Sequence, residues 1–327
     1  MSKTPKFSII ICLYRISDRF YDDLAQYKSL TYKDFEIILA TEKNAQLDNE
    51  KLNKLGLPIR IVKSSEKKIS LGKKRDLGFK NAKGEFIAYI DDDAYPEKDW
   101  LTNSLYTLHK DSKIGALGGP NITPPDDSFW AKIGGHIYES YLTSAGAQYR
   151  FVPKKKGEVR EIQGVNMFIP RKILEELGGF NFDLNSGDDD KICMDLRKKG
   201  YKIMYDPQVL VYHHRREFPL SHLKQVKGMG THRGFFLKIF PETFGPIYFF
   251  PLIMVVGSFF LISMSFFIPE LRLALLILFL IYFFLCYISS MKRTGILPSL
   301  IVAIGIILTH FTYGIFFIKG LLVKKIY

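Results

Sequence analysis

Cysteine and tryptophan are scarce, with three and two among 327 residues. Cys12, Cys193 and Cys286 stand far apart, with no CxxC pair and no histidines at finger-like spacing. That excludes a disulfide framework and a zinc finger, and makes a reduced, cytosol-facing domain the simplest reading. A secretory leader is not expected at this start either: the apolar run from Phe7 to Leu13 is too short for one and reads as a strand. Acidic residues are in deficit, 33 against 46 Lys and Arg, for a formal charge of +13. A basic chain favours anionic partners such as phosphate-bearing substrates, anionic lipid or nucleic acid. The cations are spread along the chain and no RRM- or KH-type motif is present, so nucleic acid is not the expected partner.

Charge vanishes altogether in the last third. Ile247 to Ile268 contains no charged residue. At ~1.5 Å per residue it reaches ~33 Å, enough to cross a hydrocarbon core of ~30 Å. Leu273 to Ser290 and Ile296 to Ile318 are two more such runs, the last holding only His310 as a group that titrates near neutrality. Three membrane spans are expected, with the basic turn MKRTG (291–295) on the cytoplasmic side. A third span would carry Lys324 and Lys325 outward, against the positive-inside trend; Pro298, Gly305 and His310 leave a re-entrant or interfacial course open. Residues 218–240 mix Lys224, Lys227, Arg233 and Lys238 with Leu223, Val226, Phe235, Phe236 and Phe240, a composition suited to a helix lying on an anionic bilayer. The chain thus divides into a soluble domain (1–217), a juxtamembrane region (218–245) and a membrane region (246–327).

The soluble part alternates. Strands are expected at 7–13, 35–40, 57–62, 86–90 and 114–119. Helices are expected from Asp18 to about Ser29, after Ser70 to about Ala82, and from Pro96 to His109. Such alternation implies an α/β fold, a mostly parallel sheet with helices on both faces and ligands beyond the carboxyl ends of the strands. One of those ends carries YIDDDAYPE (89–97). Adjacent carboxylates there need a counter-charge, and a divalent cation with oxygen ligands, Mg²⁺ or Mn²⁺, supplies it. A second triplet, SGDDDK (186–191), opens a helix running from about Asp188 to Lys199 and stopped by Gly200. Acidic residues at a helix N-terminus are favoured by the macrodipole, so structural and catalytic readings both stand at this point.

FSIIICLYR, FEIILATEKN and GKKRDLGFKNAKGEFIAYIDDDAYPEKDWL, followed by GVNMFIPRKILEELGGFNFDLNSGDDDKICMDLRKKGYKI, resemble family 2 glycosyltransferases with the Rossmann-like GT-A fold over about residues 5–235. The resemblance implies that Tyr14 flanks a nucleobase, Glu42 accepts a base N–H and Arg75 lies near the base or pyrophosphate. It further implies that Asp91 and Asp92 meet the ribose or donor sugar. Asp93, with Asp91, would hold a Mn²⁺ or Mg²⁺ ion bridging the diphosphate. Asp188 and Asp189 match the family's acidic pair, with Asp189 the general base of an inverting transfer. In YHHRR (212–216), His213 directly follows the apolar run VLVY and is favoured over His214 as a third metal ligand, with Arg215 or Arg216 facing phosphate, while Gly164, Asn166 and Met167 resemble the loop that shapes the acceptor site. Two positions depart from the pattern: Thr41–Glu42 stand where adjacent aspartates are usual, and Asp76 stands for Asn.

The implied activity is non-processive transfer at the cytoplasmic membrane, from a nucleotide-diphosphate sugar to a polyprenyl-linked glycan, glycolipid or polysaccharide precursor. A processive synthase would carry QxxRW, and Gln225 lacks the following Arg-Trp. A non-catalytic scaffold would be expected to lose an acidic cluster, and both are present.

Overall fold

The computed structural model describes residues 4–14, 16–183, 186–243 and 245–324; Lys325 lies outside them. The chain forms two compact units, one of residues up to Pro124 with Val152–His214, the other of Pro125–Phe151 with Arg215 onward. The chain passes between the units at three points, after Pro124, Phe151 and His214. Residues 125–151, read from sequence as part of the soluble domain, fold with the C-terminal helices.

In the first unit the strands are β1 (Phe7–Cys12), β2 (Phe35–Thr41), β3 (Ile59–Lys63), β4 (Phe86–Asp91), β5 (Ala94–Pro96), β6 (Ile114–Gly118), β7 (Asn121–Ile122), β8 (Gly157–Glu158), β9 (Asn166–Pro170), β10 (Lys202–Tyr205) and β11 (Val211–His213). Its helices are α1 (Asp18–Ala25), α2 (Asn49–Leu55), α3 (Leu71–Asn81) and α4 (Trp100–Leu108), then, beyond α5 (Phe129–Glu139) and α6 (Tyr141–Ser144) of the other unit, α7 (Arg171–Leu177) and α8 (Asp188–Lys198). Eight strands form one sheet in the order β3-β2-β1-β4-β9-β6-β10-β8, and β5-β11-β7 form a small second sheet. The sheet is mixed: β1 pairs in parallel with β2 and β4, whereas β9 runs antiparallel between β4 and β6.

Alternation along the strands builds two cores. Ile9, Ile11, Ile37, Leu39, Ala88 and Ile90 point to one face with Phe20, Leu24, Leu52 and Trp100 of α1, α2 and α4. Ile10, Ile38, Ala40, Ile87 and Tyr89 point to the other with Ile173, Leu174, Ile192 and Leu196 of α7 and α8. Near-continuous apolar strands are what burial on both faces requires. The helix boundaries have local causes. The Ser70 hydroxyl caps α3 by accepting the Lys73 N–H. Ser17 caps α1, its hydroxyl accepting the Phe20 N–H. Gly200, with φ +84°, takes the left-handed turn beyond the end of α8.

The second unit contains α5, α6, α9 (Leu220–Ile239), α10 (Phe250–Met264), α11 (Glu270–Thr294) and α12 (Ile296–Leu322). Three stretches, Pro246–Met264, Glu270–Thr294 and Ile296–Leu322, are long and apolar enough to cross a membrane. Ile133 and Ile137 of α5 pack with Phe218, Cys286 of α11, and Val302, Ala303 and Ile306 of α12. The inner stripe of α9 is His222, Val226, Gly230 and Gly234, at four-residue spacing. It meets α12 rather than lipid: a Cβ on Gly230 would strike the Tyr313 carbonyl, and one on Gly234 the Phe317 carbonyl. All three cysteines are unpaired and buried.

Candidate active site

The site of the first unit lies where β1, β2 and β4 end. Asp91 is the last residue of β4. The small sheet then sets His213 beside the first triplet, because β11 pairs antiparallel with β5 and His213 stands opposite Ala94. The stacked rings of Tyr95 and Tyr212, 4.9 Å apart, fix that register, and the His214 N–H donates to the Asp93 carbonyl at 3.0 Å. Asp91, Asp93 and His213 each offer one ligand atom, and the three atoms lie within 4.8 Å of one another. His213 Nε2 is 3.1 Å from Asp93 Oδ1. Two carboxylates and an imidazole, all partly exposed, leave room for oxygens of a further ligand. They fit Mn²⁺ well and Mg²⁺ less well, since imidazole nitrogen suits the softer ion. His214, the alternative histidine, is buried against Asp23 at 3.0 Å instead.

Asp92 has a different task. Its Oδ2 accepts the Tyr14 N–H at 2.6 Å and ties the β1–α1 loop to the triplet. Tyr14 is 76% exposed and its ring lies 5.5 Å from Lys74 Nζ. Leu13, Tyr14, Thr41, Glu42, Asn44 and Lys74 line a pocket of about 240 Å³ beside it. Lys74 is buried, donates to the Leu13 carbonyl at 2.8 Å and pairs with Glu42 at 3.1 Å. The sequence reading passed over Lys74. Its only signal is membership of the run GKKRD (72–76), which does not separate it from the exposed Lys73 beside it.

Arg75, expected near base or pyrophosphate, is 3% exposed and lies between the two acidic triplets. Its Nη1 donates to Asp188 Oδ2, and its Nη2 is 3.9 Å from Asp91 Oδ1. Gly164 packs directly on the guanidinium, where a side chain would collide. A buried cation demands such partners. Burial works against its charge, yet Asp188 and Asp91 more than offset it and raise its pKa. Burial likewise pushes the Asp188 carboxyl up, to about 6, against the lowering effect of Arg75. It pushes Asp91 up too, against Arg75 and His213.

The two acids of the second triplet are unlike each other. Asp188 is buried at 2% exposure and committed to Arg75. Asp189 is partly exposed; its Oδ2 accepts the Gly164 N–H at 3.3 Å and its Oδ1 the Asp190 N–H at 3.0 Å.

Of the residues expected on the acceptor side, Asn166 and Met167 sit elsewhere. Asn166 is buried, accepting from Trp100 Nε1 at 2.9 Å and donating to the Val209 carbonyl at 2.7 Å. Met167 is fully buried in the core. Both lie in β9, whose central place in the sheet leaves them no access to a ligand. Arg215 lies in the second unit, where its guanidinium covers the Phe151 ring at 5.3 Å and its N–H donates to Asp127. Asp76, the substituted position, accepts the Phe180 and Asn181 N–H groups at 2.7 and 3.0 Å, one on each carboxylate oxygen.

This geometry, a pocket and paired acidic clusters at the strand ends of a mixed α/β sheet, is that of a GT-A-like fold. Residues 8–178, just over half of the chain, match Glycosyl transferase family 2, and the chain belongs to that family. It is 27% identical over 207 residues to the dolichyl N-acetyl-α-D-glucosaminyl phosphate 3-β-D-2,3-diacetamido-2,3-dideoxy-β-D-glucuronosyltransferase of Methanococcus voltae, covering 60% of this chain and 63% of that one. It is 23% identical to the glucosyl-dolichyl phosphate glucuronosyltransferase of Haloferax volcanii, over 65% of this chain and 70% of that one. Among solved structures, the mannosyltransferase of Pyrobaculum calidifontis in complex with GDP-Man and Mn²⁺ shares the fold with a TM-score of 0.58 and 16% identity. That match covers 99% of this chain and 89% of the other.

Proposed function

We propose that the protein is an inverting glycosyltransferase moving a sugar from a nucleotide-diphosphate donor to a polyprenyl-phosphate-linked acceptor. The observation that carries this reading is the Arg75 bridge, which touches both acidic triplets and so brings a metal-type cluster and a base-type carboxylate into one site. The names of the Methanococcus and Haloferax relatives, both with dolichyl phosphate-linked acceptors, support the acceptor class.

In this reading the roles divide as follows. Tyr14 and the Glu42–Lys74 pair bound the nucleobase pocket. Asp91, Asp93 and His213 hold a divalent cation, which when bound neutralises charge on the departing diphosphate. Asp189 takes the proton of the acceptor hydroxyl as it attacks the anomeric carbon opposite the diphosphate. Asp188 cannot share that work, because Arg75 holds its carboxylate in the interior. Gly164 orients Asp189 through its backbone N–H, a role closer to the chemistry than the acceptor contact first expected of it.

A positioned base contributes about 10²–10⁴-fold to rate. Purified full-length protein, given a panel of nucleotide sugars and a polyprenyl-phosphate-linked glycan, should release nucleoside diphosphate from one donor. Asp189→Asn should lower that rate by about 10²–10⁴-fold while nucleotide affinity stays the same. Full turnover by the variant would remove Asp189 as base, and no acceptor-dependent release from any donor would refute the activity.

A further inference from the structure

The pocket beside Tyr14 is lined by two charged groups of fixed hydrogen-bonding sense. Glu42 directly follows β2, Lys74 lies in the first turn of α3, and both face the pocket. An ionised carboxylate only accepts hydrogen bonds and an ammonium only donates them. The neutral liners Thr41 and Asn44 can do either, the hydroxyl by rotating and the amide through its two ends. Glu42 and Lys74 therefore decide which pattern of donors and acceptors the pocket takes.

The fold holds these two in a set order. Lys74 is 3% exposed, and among the described residues its ammonium makes one hydrogen bond, to the Leu13 carbonyl at 2.8 Å. Its Nζ lies 3.1 Å from Glu42 Oε1. The Ser70 cap fixes the turn of α3 that carries Lys74. The Ala45 N–H donates to the Glu42 carbonyl at 3.3 Å and closes the loop after β2. Glu42 Oε1 is thus the oxygen held by charge, while Oε2 makes no hydrogen bond among the described residues and the side chain keeps 31% of its surface open. From the interior outward the order is donor, acceptor, acceptor: Nζ, Oε1, Oε2.

We propose that the Lys74–Glu42 pair selects guanine, so that the donor is a guanosine-diphosphate sugar. The Watson–Crick edge of guanine presents a carbonyl, a ring N–H and an amino group in sequence, which meets that order at every position. Uracil presents a carbonyl, a ring N–H and a second carbonyl, and sets the last one, oxygen against oxygen, on Glu42 Oε2. Adenine turns an amino group to the ammonium and a ring lone pair to the carboxylate, wrong at both positions. Mismatches of this kind leave charged groups unpaired and discriminate strongly. The exposed Tyr14 ring, 5.5 Å from Lys74 Nζ, offers a face on which a purine stacks. This assignment rests on the nucleobase role proposed above for the pocket.

Calorimetric titration of the full-length protein in detergent, with Mn²⁺ present, compares GDP, IDP, UDP and ADP. GDP should bind tightest. IDP differs from GDP only in lacking the 2-amino group, and should bind about tenfold or more weakly because Glu42 Oε2 loses its partner. UDP and ADP should fall at least as far. Lys74→Met should weaken GDP and narrow its margin over ADP. A Lys74 that served only to brace Leu13 would instead, when replaced, weaken all four alike, and that result would remove it as a reader of the base. Equal affinity of the wild-type protein for GDP and IDP, or for GDP and UDP, would overturn guanine selection while leaving a nucleotide site in place. Failure of all four to bind would refute the nucleobase role of the pocket itself.

Discussion

The two units bury polar groups in opposite ways. In the first, buried acidic, basic and imidazole side chains are paired: Arg75 with Asp188, Lys74 with Glu42, His214 with Asp23, Lys156 with Asp206. In the second, buried polar side chains are chiefly serines, threonines and neutral imidazoles joined by single hydrogen bonds, such as Ser140 to Ser289 and His222 to Thr309. Asp127, which accepts the Arg215 N–H, is the acidic exception. The difference follows from what each interior must do. A site that handles a multiply charged donor keeps charges in place by pairing them, and one partner without the other is expensive. The second unit, with helices long and apolar enough to cross a membrane, avoids formal charge in its seams and relies on close backbone approach, as at Gly230, Gly234 and Gly320.

The contrast breaks most visibly at Arg75. Arg75→Met should leave Asp188 and Asp91 without their cation and destabilise the first unit by about 3–5 kcal/mol. Chemical denaturation of the full-length protein in detergent would measure this. Arg75→Lys should not rescue it, because one ammonium cannot replace a planar fork reaching two carboxylates.

The second unit should respond to pH instead. Burial lowers the His222 pKa to about 4 from an ordinary 6.5, so the unfolded chain takes up a proton first as pH falls. Stability from this group is therefore whole above pH 6.5 and declines toward pH 4, by up to about 3 kcal/mol in all. Melting curves between pH 7.5 and 5 should show a decline that His222→Asn flattens; parallel curves for the two proteins would contradict it. The smallest effect is expected at Asp76. Asp76→Asn restores the residue usual in the family but leaves a single acceptor oxygen for the Phe180 and Asn181 N–H groups. It should cost about 1 kcal/mol, read as a small drop in the denaturation midpoint.

Much of the site was legible because its chemistry is local. Asp91 to Asp93 follow a buried strand, Gly187 and Gly200 bracket α8, and Ser70 announces α3. His213 was found because it ends an apolar strand, and the β5–β11 pairing then brings it to Asp93. What escaped depends on tertiary context. A five-residue apolar strand reads the same in either direction, so the antiparallel β9 was hidden. With it went the burial of Asn166 and Met167. A cation in the run KKR reads as solvated, and only the fold reveals that Arg75 lies under the site. Residues 125–151 have the look of an ordinary helix and loop. Their membership of the second unit rests on Ile133 and Ile137 meeting α11 and α12, contacts made with residues more than a hundred positions away.

The central claim is that Asp91, Asp93 and His213 form one cation site completed by a nucleoside diphosphate. Titration of Mn²⁺ into the full-length protein, followed by the loss of the free-ion paramagnetic resonance signal, tests it most directly when done with and without nucleoside diphosphate. The account predicts binding that tightens when the nucleotide is present, and a loss of at least about tenfold in affinity in Asp93→Asn and His213→Ala. Equal Mn²⁺ affinity in wild type and both variants would contradict it.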